Sequence, residues 1–155
     1  MTETAALTKV LHIRENEKDH AQKAYQTSID QFENVATELY ELLRKKETAE
    51  AAYEQCLQKP VPINKVREQA DYIANLTEQI TDLQNHVQRA RNNMETKHQH
   101  LSQAYVEMKK FEKLIEKRQR DSAAVVKKQE EAAMDEMSMQ QYMSQKTGET
   151  YGTEI

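Results

Sequence analysis

Apolar side chains recur along this chain at alternating steps of four and three. From Leu7 to Cys56 the stepping selects Leu7, Leu11, Arg14, Lys18, Ala21, Tyr25, Ser28, Phe32, Val35, Leu39, Leu42, Lys46, Ala49, Tyr53 and Cys56, of which only Arg14, Lys18, Ser28 and Lys46 are polar. A second stripe takes in Ile73, Leu76, Ile80, Leu83, Val87, Ala90, Met94, Lys97, Leu101, Ala104, Met108, Phe111, Ile115, Arg118, Ser122 and Val125, polar only at Lys97, Arg118 and Ser122. A 3.5-residue period held this long is the seam of a coiled coil, because a 3.6-residue stripe would drift around the helix.

The stripes are separated by Lys59-Pro60-Val61-Pro62-Ile63-Asn64, which holds both prolines of the chain. Pro60 removes a backbone donor and pushes Lys59 out of helical geometry, and Pro62 repeats the effect. The second helix then begins at Pro62 as a first-turn residue or at Asn64 as an N-cap. A connection this short favours antiparallel neighbours. With the turn centred near residue 61, facing residues should sum to about 122. That pairing sets Leu42 against Ile80, Leu39 against Leu83, Val35 against Val87, Phe32 against Ala90 and Leu11 against Phe111, although neither stripe was chosen to satisfy it.

The predicted fold is all-α: two long helices in an antiparallel two-stranded coiled-coil hairpin, with the second helix overhanging. Helix one covers residues 1–58, the turn 59–63, and the paired part of helix two 64–118. Residues 119–145 form an unpaired helical extension rich in methionine, and the glycine-containing 146–155 read as a disordered tail. The expectation is a monomeric hairpin.

Composition changes this picture little. At 31% charged, 37% hydrophobic and 6% aromatic residues, with no tryptophan, the chain has no material for a bulky core. Such a composition suits long helices if the apolar residues are periodic and disorder if they are not, so the stripes decide for helices. No apolar run approaches the ~20 residues that span a bilayer, and the amino end turns charged too early for a signal peptide. The expected location is the cytoplasm. A net charge of −4 argues against nucleic acid as the main partner.

Enzymatic chemistry finds no foothold. Nucleotide-binding loops need glycines, and the first glycine is Gly148. A two-stranded hairpin encloses no pocket for a small molecule or for a nucleophile, and Cys56 occupies a seam position as a small buried thiol. His12, His20, His86, His98 and His100 show no zinc-ligand spacing; Glu95 and His98 alone share a helix face, short of the four convergent ligands of a structural site. No metal, cofactor or catalytic residue is expected.

Three features exceed a plain coiled coil. Residues 109–120, KKFEKLIEKRQR, carry six basic and two acidic side chains, against seven basic and eleven acidic over residues 1–58. This is either a solvated face complementing helix one or a docking surface for an acidic partner. Arg14 and Lys18 fall at seam positions facing Met108 and Ala104, where buried charge fixes register and loosens packing. Ile29, Ala36, Tyr40 and Leu43 lie beside the first stripe and Tyr72 beside the second. Leu76 nominally faces Lys46 and is expected to be incompletely covered.

Four segments carry a family resemblance: KVLHIRENEKD (9–19), FENVATELYELL (32–43), MKKFEK (108–113) and MDEMSMQQYM (134–143). In order, and with the turn between the second and third, they resemble the flagellar export protein FliJ family, the coiled-coil stalk of the flagellar type III secretion apparatus. The resemblance implies a non-enzymatic cytoplasmic protein, peripherally associated with the export apparatus at the inner face of the membrane. It implies that the open end of the hairpin enters the hexameric ring of the export ATPase and promotes its assembly, and that the stalk also meets the export-gate membrane protein and export chaperones. The ATPase-docking residues would be Leu11, Arg14, Lys18, Met108, Lys109, Lys110, Phe111 and Lys113; the gate-contacting residues would be Leu42, Tyr72, Leu76 and Gln79. The residues alone also allow a generic coiled-coil chaperone or spacer that binds clients through its methionine-rich carboxy-terminal helix.

Overall fold

The computed structural model describes residues 2–152, and the side chains of 3–147. They form two helices, α1 (Thr2–Leu57) and α2 (Ile63–Gly152), with no strand among the described residues. The helices pack against each other as the antiparallel hairpin that the two stripes require.

The connection follows proline chemistry. α1 closes with two short-range bonds, Gln58 N–H to the Gln55 carbonyl (3.3 Å) and Lys59 N–H to that of Cys56 (3.4 Å). Pro60 then has no N–H with which to continue. The Pro62 carbonyl accepts from Lys65 N–H (3.1 Å) and Val66 N–H (3.4 Å), so Pro62 is the N-cap of α2. Neither sequence alternative holds: Ile63 is the first helical residue, and Asn64 lies inside the helix. At that position proline supplies the needed carbonyl, and its missing donor costs nothing.

The contacts of the chain divide into two compact units, residues Ile13–Met108, and the amino-terminal residues to His12 together with those from Lys109 onward. In the first unit, every stripe position from Arg14 to Cys56 and from Ile73 to Met108 is buried or half-buried. The most covered apolar side chains are Leu76 (4% exposed), Ile80 and Met108. Ser28 is buried more completely than any of them, and its hydroxyl donates to the Tyr25 carbonyl at 2.6 Å, which satisfies the one polar group it brings into the seam. Cross-helix contacts fix the register: the rings of Tyr25 and His98 lie 5.2 Å apart at 56°, and the Arg91 guanidinium sits 5.8 Å from the Phe32 centroid. Each pair lies within one residue of the pairing read from the stripes.

Leu76 corrects an expectation. Opposite a lysine it was expected to be incompletely covered, yet it is the best-covered apolar side chain among the described residues. Lys46 is only 30% exposed and its ammonium reaches out to Glu50 at 3.8 Å. A lysine that sends its charge outward can leave its aliphatic stem along apolar surface.

In the second unit, Leu7, Leu11 and Phe111 are half-buried, Ile115 is 9% exposed, and Arg118 pairs with Glu3. The seam ends there. Ser122 and Val125, which share its phase, are exposed, and so is every described side chain from Gln119 to Thr147. The helix nevertheless runs through residues 146–152, a stretch whose glycines suggested a disordered tail. Glycine lowers helix propensity by about 1 kcal/mol but, unlike proline, keeps its donor and does not clash. Residues 153–155 of that tail lie outside the described residues.

Candidate partner-docking surfaces

The basic segment and the amino end of α1 belong to one unit. Of its side chains Lys109 is half-buried and pairs with Glu112 at 2.8 Å, and Arg118 crosses to Glu3. Lys113, Lys117 and Arg120 are exposed and take part in no ion pair among the described residues. Part of the positive face therefore complements α1, and part is left to solvent. Lys110 is exposed, while Leu11 and Phe111 contribute partly covered apolar surface. A largely solvent-facing ion pair such as Lys109–Glu112 contributes little energy, roughly 0–1 kcal/mol.

In the unit of residues 13–108, Arg14 and Lys18 keep their seam positions and turn their charges aside. The Arg14 guanidinium donates to Glu17 at 3.0 Å, and the Lys18 ammonium lies 3.2 Å from Asp19. Met108 is different. At 6% exposure it is core and offers almost no surface to a partner. Beside Lys18 opens a shallow groove of about 460 Å³ lined by Gln22, Leu101, Ser102, Tyr105 and Val106. Tyr105 and Val106 are half exposed and were missed by sequence reasoning. Their signal was present: they directly follow the seam residue Ala104 but match no seam phase.

The residues expected to meet a gate separate by depth. Tyr72 (51% exposed) and Gln79 are on the surface, Leu42 is half-buried, and Leu76 is fully in the seam. Tyr40 and Leu43 are also exposed, with the Arg44 guanidinium 6.0 Å from the Tyr40 ring. Ile29 and Ala36, on the same flank, are half-buried. Along the overhang, Val125, Val126, Met134, Met137, Met139, Tyr142 and Met143 are each at least half exposed.

Neither titratable clusters nor enclosed cavities alter this account. A shallow site of about 330 Å³ at Tyr25, Met94, Glu95, His98 and Gln99 contains the Glu95–His98 pair. No group of three or more metal-ligating side chains gathers among the described residues. No described helix is long and apolar enough to cross a membrane. Cys56 is a half-buried free thiol.

The Flagellar FliJ protein family matches residues 3–147, almost the whole hairpin and its overhang. The chain belongs to the FliJ family. The Flagellar FliJ protein of Bacillus subtilis (strain 168) is 38% identical over 137 residues, covering 88% of this chain and 93% of that protein. No solved structure matches. FliJ proteins are structural or adaptor components of flagellum biogenesis and protein export, so a role connected with flagellar export and association with components of the export apparatus come with membership.

Proposed function

We propose that this FliJ-family chain is a non-enzymatic stalk of flagellar type III export that docks on the export ATPase, promotes assembly of its hexameric ring, and links it to the export gate and to export chaperones, at the cytoplasmic side of the membrane. The observation that carries the reading is the positive surface of Lys110, Lys113, Lys117 and Arg120 in the unit shared by the amino end of α1 and residues 109 onward, with Leu11 and Phe111 as its apolar part. Met108 is left out because it is core. One hairpin on the axis of a symmetric ring cannot meet all subunits alike, so its contacts bias some of them toward particular conformations.

Gate contact is assigned to Tyr72 and Gln79 with the partly covered Leu42; Leu76 is excluded by its burial. The test is ATP hydrolysis and ring formation by the purified export ATPase with and without the hairpin. Wild type should raise both, and the Lys110→Glu/Lys113→Glu/Lys117→Glu variant should not. Equal stimulation by both proteins would remove the ATPase-docking reading.

One observation favours a second reading, a chaperone-like role in which the exposed Met137, Met139 and Met143 hold clients. Methionine is flexible and polarisable, which suits adaptable apolar contacts. On that reading Met137→Glu/Met139→Glu abolishes binding and the basic residues are dispensable.

A further inference from the structure

The tip of the hairpin carries a feature that neither the stalk nor the chaperone reading uses. Ile63 is 78% exposed and Leu57 59%, and Ile63 is the most exposed large apolar side chain described. Between them lies Pro60-Val61-Pro62, with Val61 half-buried. From Gln55 to Arg67 the charged residues are Lys59, Lys65 and Arg67, all exposed, with no acid among them. None of the three takes part in an ion pair among the described residues. In a chain of net charge −4, the tip joins bare aliphatic groups to three cations, with the nearest acids, Glu54 and Glu68, at its edges.

We propose that the tip, Leu57, Val61 and Ile63 ringed by Lys59, Lys65 and Arg67, docks on an anionic lipid surface. The charge complementarity comes from side chains. The carboxy end of α1 and the amino end of α2 meet at the tip, and their opposite dipole ends largely offset each other. Burial of the tip in a headgroup layer is also inexpensive for the backbone. Pro60 and Pro62 have no N–H, and the Pro62 carbonyl is already engaged by Lys65 and Val66.

A protein partner fits the tip poorly. A stable protein interface takes about 800 Å² and roughly 20–30 residues from each side, more than residues 57–67 provide. A lipid surface demands no shape complementarity and rewards a few aliphatic groups combined with cations. The attachment is shallow and reversible, since no described helix can span a bilayer.

The test uses the full chain with Val61→Trp, whose indole is the single tryptophan of the protein. Vesicles of phosphatidylcholine mixed with phosphatidylglycerol are compared with vesicles of phosphatidylcholine alone, by flotation and by indole emission. The expected result is flotation and a blue shift with the anionic vesicles only, both weakened by salt. Each of Lys59→Gln, Lys65→Gln and Arg67→Gln should lower partitioning about fivefold, the factor that ~1 kcal/mol per cation near an anionic surface corresponds to. Leu57→Ser/Ile63→Ser should abolish the blue shift while helicity by circular dichroism is unchanged. Lys113→Gln/Lys117→Gln/Arg120→Gln should float like the parent. The proposal is overturned if anionic vesicles are not bound, if neutral vesicles bind as well, if the combined Lys59→Gln/Lys65→Gln/Arg67→Gln variant floats like the parent, or if the variant at 113, 117 and 120 alone loses flotation.

Discussion

At the scale of single residues, position in the stripe does not fix what a side chain contributes; what lies opposite does. Leu76 and Val125 occupy the same phase of α2, yet one is 4% and the other 54% exposed. Leu76→Ala should lower stability by about 2–5 kcal/mol, the cost of removing a buried leucine and leaving a cavity. Val125→Ala should change it by no more than about 0.5 kcal/mol. Chemical denaturation followed by circular dichroism distinguishes them. Ser28 sets the opposite constraint. Its side chain is small, self-satisfied and only 2% exposed, so Ser28→Leu should overpack the seam and cost about 1–3 kcal/mol in the same measurement, although leucine is the more hydrophobic residue.

At the scale of the elements, the pairing of α1 with α2 is a statement about register. In a Cys56→Ser background, Leu39→Cys/Leu83→Cys should oxidise to a crosslink within one chain that migrates as a compact monomer on a denaturing gel. Leu39→Cys paired with a cysteine at Val87 should not, because one turn of helix separates those positions. The Tyr25–His98 and Phe32–Arg91 contacts already lie within one residue of this pairing. The two helices, their turn and their seam were legible because a heptad pattern records which side chains face a partner, and because proline acts through its own covalent geometry. Three details were not. Pro62 as a cap depends on which carbonyl the next turn accepts, and that choice is made in three dimensions. Coverage of Leu76 depends on how Lys46 disposes its stem, which charge alone does not report. The run of α2 to Gly152 depends on glycine keeping the N–H donor that proline lacks. Of the residues expected to meet a partner, Lys110, Lys113 and Tyr72 are exposed. The loss of Met108 and Leu76 to the core was not legible, because a stripe identifies a facing residue without saying how completely it is covered.

At the scale of the whole molecule, a FliJ-family hairpin offers several exposed surfaces of different chemistry: cations around 110–120, bare methionines along the overhang, and an apolar, cationic tip. The first is the surface we propose for the ATPase. Contacts made mainly by exposed cations are screened by salt and act largely on association, so binding to the export ATPase should weaken as ionic strength rises. The decisive measurement is the affinity of the purified hairpin for the export ATPase, at low and at raised salt, for wild type, for Lys113→Glu/Lys117→Glu/Arg120→Glu and for Met137→Glu/Met139→Glu. The account predicts a loss of about tenfold or more for the basic triple variant, a clear salt dependence for wild type, and near-normal affinity for the methionine variant. Salt-insensitive binding that survives the triple reversal and disappears with the methionines would contradict it.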